Sequence, residues 1–316
     1  MPDVVSIGEC FIEFFTYETL HSEAEWELVH SGDTYNVLAM ANRLGTSCGY
    51  ITRISDDPFG DYLLEEWRKR GIDTTYVRQV RAFNAVEFSS SEPVGEGSKV
   101  VYRKGAAAST MTPEDIDPAY ISSAKILHVS GISQGISGSC RETVMKAVKI
   151  AHESGVLVSY DTNLRVNLWE SIAEAREAMD EMLPYIDIIT PSFPHEPAAL
   201  IDLHSEREVI DWFLERGIGT VGLKCGADGA WVGTPREIVR IPGVAPRGLL
   251  HTSGAGDTFV GGLLHCIANG MDAVEGARWG VACAGLKVGG PSIEAQPTLQ
   301  EVLEVLPSVQ AINVSR

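Results

Sequence analysis

Residues 251–268 read HTSGAGDTFVGGLLHCIA, which places a glycine-rich turn directly before an apolar helix. Gly254 and Gly256 let the backbone turn tightly, so that successive amide groups converge on one point. The helix that begins there adds unpaired N–H groups and the positive end of its dipole. The segment predicts an anion hole suited to a phosphoryl group, with Asp257 placed to accept a proton from an attacking hydroxyl. The alternative is a simple turn in which Asp257 caps the helix.

This turn differs from two well-known phosphate-binding loops. The sequence has no GxxxxGK[ST] motif, so it does not indicate a P-loop nucleotidase. Gly8-Glu9-Cys10 follows the first predicted strand but does not continue as GxGxxG, which argues against a dinucleotide-binding dehydrogenase.

On both sides of this segment, short apolar runs alternate with amphipathic stretches. Strands are predicted over residues 4–7, 49–53, 126–130, 156–160, 186–190 and 220–223, and helices over residues 34–44, 59–70, 141–153, 172–182, 206–215 and 258–268. Several helices are followed by a glycine, which suits a left-handed C-cap: Gly45, Gly71, Gly155, Gly217 and Gly270. The alternation predicts a single α/β domain over residues 1–316, with a doubly wound, mostly parallel sheet flanked by helices. Ligands bind at the carboxyl ends of the strands in such sheets.

Two regions lack intervening helices. Residues 10–16 follow the first strand directly, and residues 76–80, 85–90 and 98–103 read as consecutive strands, with a turn-rich stretch at residues 92–97. We expect these strands to form a small inserted sheet, a lid over the ligand crevice built from about residues 10–31 and 74–104. An antiparallel edge extension of the main sheet is the alternative.

Composition limits the classes of partner. The chain has 316 residues, of which 44% are hydrophobic, and its formal net charge of −18 disfavours nucleic acids and anionic membranes. A small anionic ligand stays compatible, because a local field can oppose the global one. The six cysteines form no CxxC pair, and the start MPDVVSIGEC lacks the features of a secretory signal, so we expect a cytoplasmic protein. No apolar run approaches the roughly 20 residues that span a bilayer.

Further polar clusters lie where ligands are expected. Asp33 and Asn36 open a predicted helix and can bind vicinal hydroxyls, although an N-cap and a solvated amide are the alternative reading. Arg103 ends a predicted lid strand, and Arg165 follows the strand at residues 156–160. An arginine grips a carboxylate through two parallel hydrogen bonds, so this pair suggests an acidic sugar, with surface ion pairs as the alternative. The loop KCGADG at residues 224–229 can approach nucleotide phosphates, or can be a plain hairpin turn.

The chain resembles the ribokinase-like sugar kinases of the phosphofructokinase-B family. HTSGAGD at residues 251–257 is similar to their DTTGAGD signature, and SGDTYN at residues 31–36, running to RLG at residues 43–45, is similar to their N-terminal signature. The resemblance implies ATP- and Mg²⁺-dependent phosphorylation of a sugar hydroxyl, with an inserted β lid that often mediates dimerisation. It implies that Asp257 is the catalytic base, beside the amides of Gly254, Ala255 and Gly256.

Within this family the chain looks most like the 2-keto-3-deoxygluconate kinases. SGDTYN, YRKGAAAS at residues 102–109 and DTNLRVNLW at residues 161–169 are similar to segments of those enzymes. By this likeness, the residues that contact the sugar acid are Gly32, Tyr102, Arg103 and Arg165. The wider family resemblance supports the same assignment for Asp33 and Asn36. The family resemblance assigns six others to ATP: Asn163, Lys224, Gly226, Asp228, Gly229 and Ser253. A neutral-sugar kinase of the fructokinase or ribokinase type is the alternative.

Two of the departures from the family pattern concern the binding of cations. His251 stands where relatives have an aspartate, in a loop that holds a monovalent cation in many of them, so a potassium requirement is left open. The family's Asn-x-x-Glu metal motif reads Ser192-Phe193-Pro194-His195, with Glu196 one residue late. We assign Glu196 to magnesium, through water, and expect His195 to be a solvated loop residue. These departures also keep open a non-catalytic sugar or nucleotide sensor.

Overall fold

A computed structural model describes residues 1–20, 23–90, 99–245, 248, 251–290 and 293–314. Within these ranges, a large sheet has the strand order β14-β13-β12-β11-β10-β9-β8-β1-β4-β5. The strands of the chain are β1 (Val4–Ile7), β2 (Phe11–Thr16), β3 (Glu27–Ser31), β4 (Cys48–Ser55), β5 (Val77–Val80), β6 (Ala85–Ser90), β7 (Lys99–Tyr102), β8 (Ile126–Ser130), β9 (Leu157–Asp161), β10 (Ile188–Ile189), β11 (Thr220–Lys224), β12 (Ala230–Gly233), β13 (Ile238–Ile241) and β14 (Ile312–Asn313).

Strands β11, β10, β9, β8, β1, β4 and β5 pair in parallel, and β12, β13 and β14 extend the β11 end in antiparallel pairing. The predicted doubly wound, mostly parallel sheet is therefore confirmed. The helices are α1 (Asp33–Arg43), α2 (Pro58–Lys69), α3 (Pro118–Ser122), α4 (Gly131–Gly135), α5 (Gly138–Glu153), α6 (Ile172–Met182), α7 (His195–Ile201), α8 (Glu206–Leu214), α9 (Ala255–Ala268), α10 (Ala273–Lys287) and α11 (Leu299–Val305). Short 3₁₀ helices lie at Ala107–Thr110, Pro113–Asp115, Val166–Leu168, Leu183–Tyr185, Gly226–Asp228, Ile293–Ala295 and Leu306–Ser308.

Helices cover both faces of the large sheet. Apolar side chains of α1, α2, α9 and α10 pack into one core, and those of α3, α5, α6 and α8 pack into the other. Polar side chains fix the helix starts, as where Asp57 accepts hydrogen bonds from two amides of the first turn of α2. The five predicted C-terminal glycines all have positive φ, between 73° and 103°.

A separate four-stranded sheet, here called the small sheet, has the order β3-β2-β6-β7. Its central strands β2 and β6 run parallel, and its outer pairs are antiparallel. It is the predicted inserted sheet, not an edge extension of the large one. The predicted turn at residues 92–97, together with Ser98 at the start of the next predicted strand, lies outside the described residues. That the small sheet acts as a lid stays a prediction. That residues 1–316 form a single domain also stays a prediction.

One predicted member of the small sheet lies elsewhere. β5, predicted over residues 76–80 as a lid strand, pairs in parallel with β4 at the edge of the large sheet. The physical reason is that α2 connects β4 to β5. The three elements form a strand–helix–strand unit, in which the two strands pair in parallel in the same sheet. The lid boundary at residue 74 was wrong for this reason, since the strands of the small sheet begin again only at Ala85.

Glycines hold α9 close to its neighbours. A Cβ atom on Gly261 would lie 2.5 Å from the Met40 Cβ and 2.7 Å from the Val37 carbonyl oxygen on α1. A Cβ atom on Gly262 would lie 3.0 Å from the backbone of Gly280 on α10. Because both sides of α9 are packed at backbone distance, the position of its first turn is fixed by the core. In the described ranges, none of the helices combines the length and the apolar character needed to cross a bilayer.

Candidate active site

The carboxyl ends of the parallel strands and the first turns of α1 and α9 meet at one edge of the large sheet. Two cavities adjoin there, one polar with a volume of 380 Å³ and one mostly apolar with a volume of 620 Å³. Both are lined by Ser192, Lys224, Thr252 and Gly256, so the two spaces meet at the start of α9. A ligand in one cavity can therefore reach a ligand in the other.

Asp257 lies in the first turn of α9 and faces the polar cavity. One of its carboxylate oxygens, Oδ2, accepts a hydrogen bond of 2.9 Å from Asn36 Nδ2 on α1. Burial, and then the negative charge of Asp33, raise the pKa of Asp257 to about 7, while the hydrogen bond from Asn36 lowers it. A carboxylate with a pKa near neutrality is suited to general base chemistry.

The turn before α9 has the geometry of an anion hole. Gly254 has φ 74°, in the left-handed region, and no side chain caps the helix. The amide of Ala255 donates to the Thr252 carbonyl oxygen at 3.1 Å, so it is engaged within the turn. The amides of Gly254, Gly256 and Asp257 donate to no described residue. These three, rather than four, N–H groups are free to bind an anion.

Two buried oxygen atoms of residues that line the polar cavity lack hydrogen-bond partners among the described residues. Asp33, at the start of α1, accepts hydrogen bonds through Oδ2 from Ser130 Oγ and, at 3.3 Å, from Asn163 Nδ2. Its Oδ1 and the Oδ1 of Asn36 are buried and have no described hydrogen-bond partner. Burial also raises the pKa of Asp33. Unsatisfied buried acceptors are costly, so these two oxygens point to hydroxyl donors of a ligand.

Gly32 allows the chain to pass close to the first strand. A Cβ atom there would lie 2.3 Å from the Glu9 carbonyl oxygen, so only glycine fits. Gly32 also lines the polar cavity, as predicted for a substrate-side residue.

The two predicted arginines differ in their pairing. Arg103 Nη1 lies 2.6 Å from the buried Glu9 Oε1, and its guanidinium stands over the Phe11 ring. Burial raises the pKa of Glu9 to about 7, against the attraction of Arg103. Arg165 also lines the polar cavity, but its Nη1 bonds only to the Leu164 carbonyl oxygen, at 3.2 Å, among the described residues. Arg165 is thus a cation at this cavity with no carboxylate partner in the described part of the chain.

Tyr102 is not brought into either cavity. Its side chain is 61% exposed, and its ring contacts Phe88 on the small sheet. The predicted contact of Tyr102 with substrate stays a prediction that this geometry does not support.

Glu196 is buried in the wall of the polar cavity. Its carboxylate accepts hydrogen bonds from the amides of Leu164 and Ser192, at 2.8 and 2.7 Å, and from Thr162 Oγ1. Three of its roughly four lone-pair directions are therefore used, so a magnesium ion fits this carboxylate through water rather than directly. His195 is exposed at the cavity rim, as expected for a solvated residue.

Lys224 ends β11 and lines both cavities. Its Nζ lies 2.6 Å from the buried Asp161 Oδ2, and the charges of Asp161 and Glu196 outweigh burial and raise the pKa of Lys224. Lys224 is therefore a fixed positive charge where the two cavities meet.

The other residues predicted to bind ATP do not all line the same cavity. Gly226 and Gly229 line the apolar cavity, with φ of 56° and 94°, whereas Asp228 is exposed and lines neither cavity. Asn163 and Ser253 line the polar cavity. Asn163 lies beside Asp33 in the polar cavity, and its predicted contact with ATP stays a prediction.

Sequence reasoning missed several residues of the site. Glu9 and Asp161 are carboxylates at or just after strand ends, a position that could have identified them. Lys287 is a lysine at the end of the apolar run GVACAGLK, and its Nζ donates to the Ser253 carbonyl oxygen. Small apolar residues in the wall of the apolar cavity could not be predicted, because valine and alanine are common throughout the core. They are Val244, Ala245, Val281, Ala284 and Val288.

A family comparison agrees with this geometry. The profile of the pfkB family carbohydrate kinases matches residues 1–299. The chain belongs to this family. It is accordingly a carbohydrate kinase, a phosphotransferase that acts on a sugar hydroxyl, and the predicted ribokinase-like fold is confirmed.

Individual relatives cover nearly the whole chain. The 2-dehydro-3-deoxygluconokinase of Bacillus subtilis is 26% identical over 98% of this chain and 97% of its own length, and that of Thermoproteus tenax is 31% identical over 97% and 94%. A fructokinase of Solanum tuberosum is 30% identical over 96% and 95%. The crystal structure of a putative Ribokinase II from E. coli in complex with ATP and Mg²⁺ has a TM-score of 0.89 at 26% identity, and covers 98% of this chain and 99% of that one.

Proposed function

We propose that this pfkB kinase transfers the γ-phosphoryl group of ATP to a hydroxyl, preferably the primary one, of 2-keto-3-deoxygluconate (2-dehydro-3-deoxygluconate) or a related sugar acid. The choice of a sugar acid rests on which cationic side chains around the polar cavity already have a carboxylate partner. Arg103 forms an ion pair with Glu9 and Lys224 forms one with Asp161, whereas Arg165 has no carboxylate partner among the described residues. A guanidinium without a partner favours a carboxylate on the substrate.

The sugar occupies the polar cavity in this proposal. The substrate carboxylate pairs with Arg165, and its hydroxyl groups donate to the unpartnered Oδ1 atoms of Asp33 and Asn36. This orientation directs the far end of the sugar to Asp257, where the phosphate acceptor has to lie.

ATP occupies the apolar cavity. Its base packs among small and apolar side chains such as Val244, Ala284 and Val288. The phosphates extend toward Lys224 and the free amides at the start of α9, where the two cavities meet. The positively charged end of α9 and the Lys224 ammonium oppose the strong negative charge of the chain as a whole.

The phosphoryl transfer uses Asp257 as the general base. Its carboxylate accepts the proton of the sugar hydroxyl as the oxygen of that hydroxyl forms a bond to the γ-phosphorus. The bond between the γ-phosphorus and the β–γ bridging oxygen breaks, and ADP leaves with the bonding electrons. The amides of Gly254, Gly256 and Asp257 stabilise charge on the transferring group. Mg²⁺ bound to the nucleotide would neutralise phosphate charge, and Glu196 would hold it through water.

Two alternatives give different outcomes. A neutral-sugar kinase is favoured by the fructokinase relative at 30% identity. A sensor without catalysis would bind a sugar or nucleotide without turnover, although the position and raised pKa of Asp257 are those of a working base.

An ATP-coupled screen of sugar acids against neutral sugars tests the proposal. We expect kcat/KM for 2-keto-3-deoxygluconate to exceed that for fructose and ribose by about 10²-fold or more, the size of effect that a charge-assisted hydrogen-bonded pair supports. Preference for a neutral sugar would support the first alternative, and binding without ADP release would support the second. Phosphorus NMR of the product identifies the phosphorylated hydroxyl.

The outer face of the small sheet suits a second copy of the chain. Leu28, Phe14, Phe88 and Val100 form one row across the strands, because they are paired in register. Leu28 and Val100, at the two ends of this apolar row, are 43% and 42% exposed, and Phe14 and Phe88 between them are partly buried. We propose a homodimer through this face. Light scattering should show a dimer for the wild type and a monomer for Val100→Asp, and a monomeric wild type would exclude it.

A further inference from the structure

Lys287 is the last residue of α10, and its side chain is 1% exposed. Its Nζ donates hydrogen bonds to the backbone carbonyl oxygens of Ser253 and, at 3.4 Å, of His251. Both carbonyls belong to the loop that leads into the turn before α9. The lysine thus reaches from the end of one helix to the anion hole at the start of its neighbour.

Among the described residues, the hydrogen-bond partners of Lys287 Nζ are these two carbonyl oxygens and no carboxylate. Burial outweighs the attraction of Glu13 and Asp257 and lowers the pKa of Lys287 to about 8. Keeping an ammonium group buried on carbonyl oxygens alone costs free energy. An apolar side chain of similar length would fill this space without that cost, so the charge points to a role in the loop that it contacts.

The bonded carbonyl of Ser253 belongs to the same peptide unit as the N–H of Gly254. In a planar trans peptide these two groups point in opposite directions. An ammonium on the carbonyl oxygen therefore fixes the direction of the Gly254 N–H and increases its polarity. That N–H is one of the three amides with no described partner at the mouth of the polar cavity.

We propose that Lys287 is a positioning residue for phosphoryl transfer: its buried ammonium holds the Ser253–Gly254 peptide so that the Gly254 amide points at the transferring group. The inference rests on the proposed function only in taking that group to be the γ-phosphoryl of ATP. Because a fixed cation already occupies the carbonyls of His251 and Ser253, turnover should not require potassium or another added monovalent cation.

Substitution of Lys287 gives the first test. Lys287→Met removes the charge and keeps the length of the side chain. We expect kcat to fall by about 10²-fold, as when one donor of an oxyanion hole is lost, while the Kd for Mg·ATP changes less than about threefold. Lys287→Arg keeps the charge and should retain more activity than Lys287→Met. Lys125→Met is the matched control, since Lys125 Nζ donates to the Ala268 carbonyl oxygen at 3.0 Å, at the far end of α9, and its loss should leave kcat unchanged.

Chemical rescue separates positioning from a purely structural role. Lys287→Ala leaves a space lined by the same carbonyl oxygens, so ammonium, methylammonium or potassium chloride should restore at least about tenfold of its activity. Sodium chloride at equal ionic strength controls for screening. Wild type and Lys125→Met should respond to none of these salts. Far-UV circular dichroism and thermal unfolding establish that each variant is folded.

Three results would overturn the proposal: a folded Lys287→Met with wild-type kcat, a folded Lys287→Ala that no cation rescues, or a wild type that depends on potassium. The choice of sugar does not affect these readouts, because they use whichever sugar the wild type phosphorylates. Should no sugar be phosphorylated, the proposed function fails, and Lys287 is tested by calorimetry with ADP and aluminium fluoride. Weaker binding of that phosphoryl mimic by Lys287→Met, with unchanged ADP binding, supports the positioning role, and equal binding rejects it.

Discussion

Asn36 Nδ2 donates a hydrogen bond of 2.9 Å to Asp257 Oδ2, although the two residues are 221 positions apart in sequence. The bond joins the first turns of α1 and α9. The first turn of α1 carries Asp33 and Asn36 in the polar cavity, and the first turn of α9 follows the anion hole. It occupies one carboxylate oxygen of Asp257 and leaves the other for a substrate hydroxyl. The orientation of the proposed base is thus set by a residue that also lines the polar cavity.

Asp257→Asn should reduce kcat by at least about 10³-fold, because an amide cannot accept the hydroxyl proton. The amide oxygen of the variant can still accept from Asn36, and the anion-hole amides are unchanged, so the Kd for Mg·ATP should stay within about threefold. Coupled assays and calorimetry measure the two quantities. Near-normal turnover would remove Asp257 from the mechanism.

The raised pKa of Asp257 predicts how the rate depends on pH. The base acts only when deprotonated, so kcat/KM should rise about tenfold per pH unit below pH 7 and level off above it. Above about pH 8, loss of the Lys287 proton should lower the rate again. Asp33, Asp161 and Lys224 also face Asp257 and contribute to its titration. The pKa of Glu9 is also raised to about 7, so Glu9→Gln serves as the control. A midpoint near pH 7 that persists in this variant belongs to Asp257, and a profile flat from pH 5 to 8 would contradict the assignment.

Asn36→Leu should move that midpoint upward. The Asn36 hydrogen bond lowers the pKa of Asp257 against the effect of burial, so its loss leaves the protonated carboxyl more favoured. At pH 6 the variant should therefore lose more activity than at pH 9. The same loss at both values would mean that Asn36 contributes only to substrate binding.

Arg165→Met should weaken binding of a sugar acid far more than binding of a neutral sugar. Loss of a charge-assisted pair costs about 1.5–3 kcal/mol, so KM for the acid should rise about 10- to 100-fold. Arg176→Met is the control, because Arg176 pairs with Asp180 on the surface of α6 and lies outside both cavities. Equal losses for acid and neutral sugars would favour a neutral-sugar kinase.

Gly254→Ala and Gly270→Ala form a matched pair at the two ends of α9. Their φ values are 74° and 78°, so each substitution should cost about 1 kcal/mol of stability through backbone strain. Only at Gly254 does the added Cβ approach the site, at 3.3 Å from Asn36 Nδ2. We expect similar unfolding midpoints for the two variants and a loss of kcat for Gly254→Ala alone. Equal activities would show that the turn tolerates displacement.

The parts of the fold and site that follow from local sequence were predictable. Glycine C-caps, buried parallel strands and the turn before α9 depend on neighbouring residues, and their signals are local. β5 was assigned to the wrong sheet because its own pattern does not specify a partner strand, although α2 before it gave the answer. Glu196 lies one residue later than the glutamate of the family's Asn-x-x-Glu motif. Its carboxylate nevertheless lies in the wall of the polar cavity. Lys287 could not be found, because its partners are backbone carbonyls in another segment.

The glycine contacts of α9 divide the site into an immobile and an adjustable half. With backbone against backbone at Gly262 and Gly280, and Gly261 against α1, the anion hole cannot shift without opening the core. Arg165 is exposed, and the small sheet is separate from the large one, so side chains there can change without opening that core. Directed evolution toward a new phosphate acceptor should therefore target the small sheet and the loop that carries Arg165. The first turn of α9, which is expected to bind the phosphates, should be left unchanged.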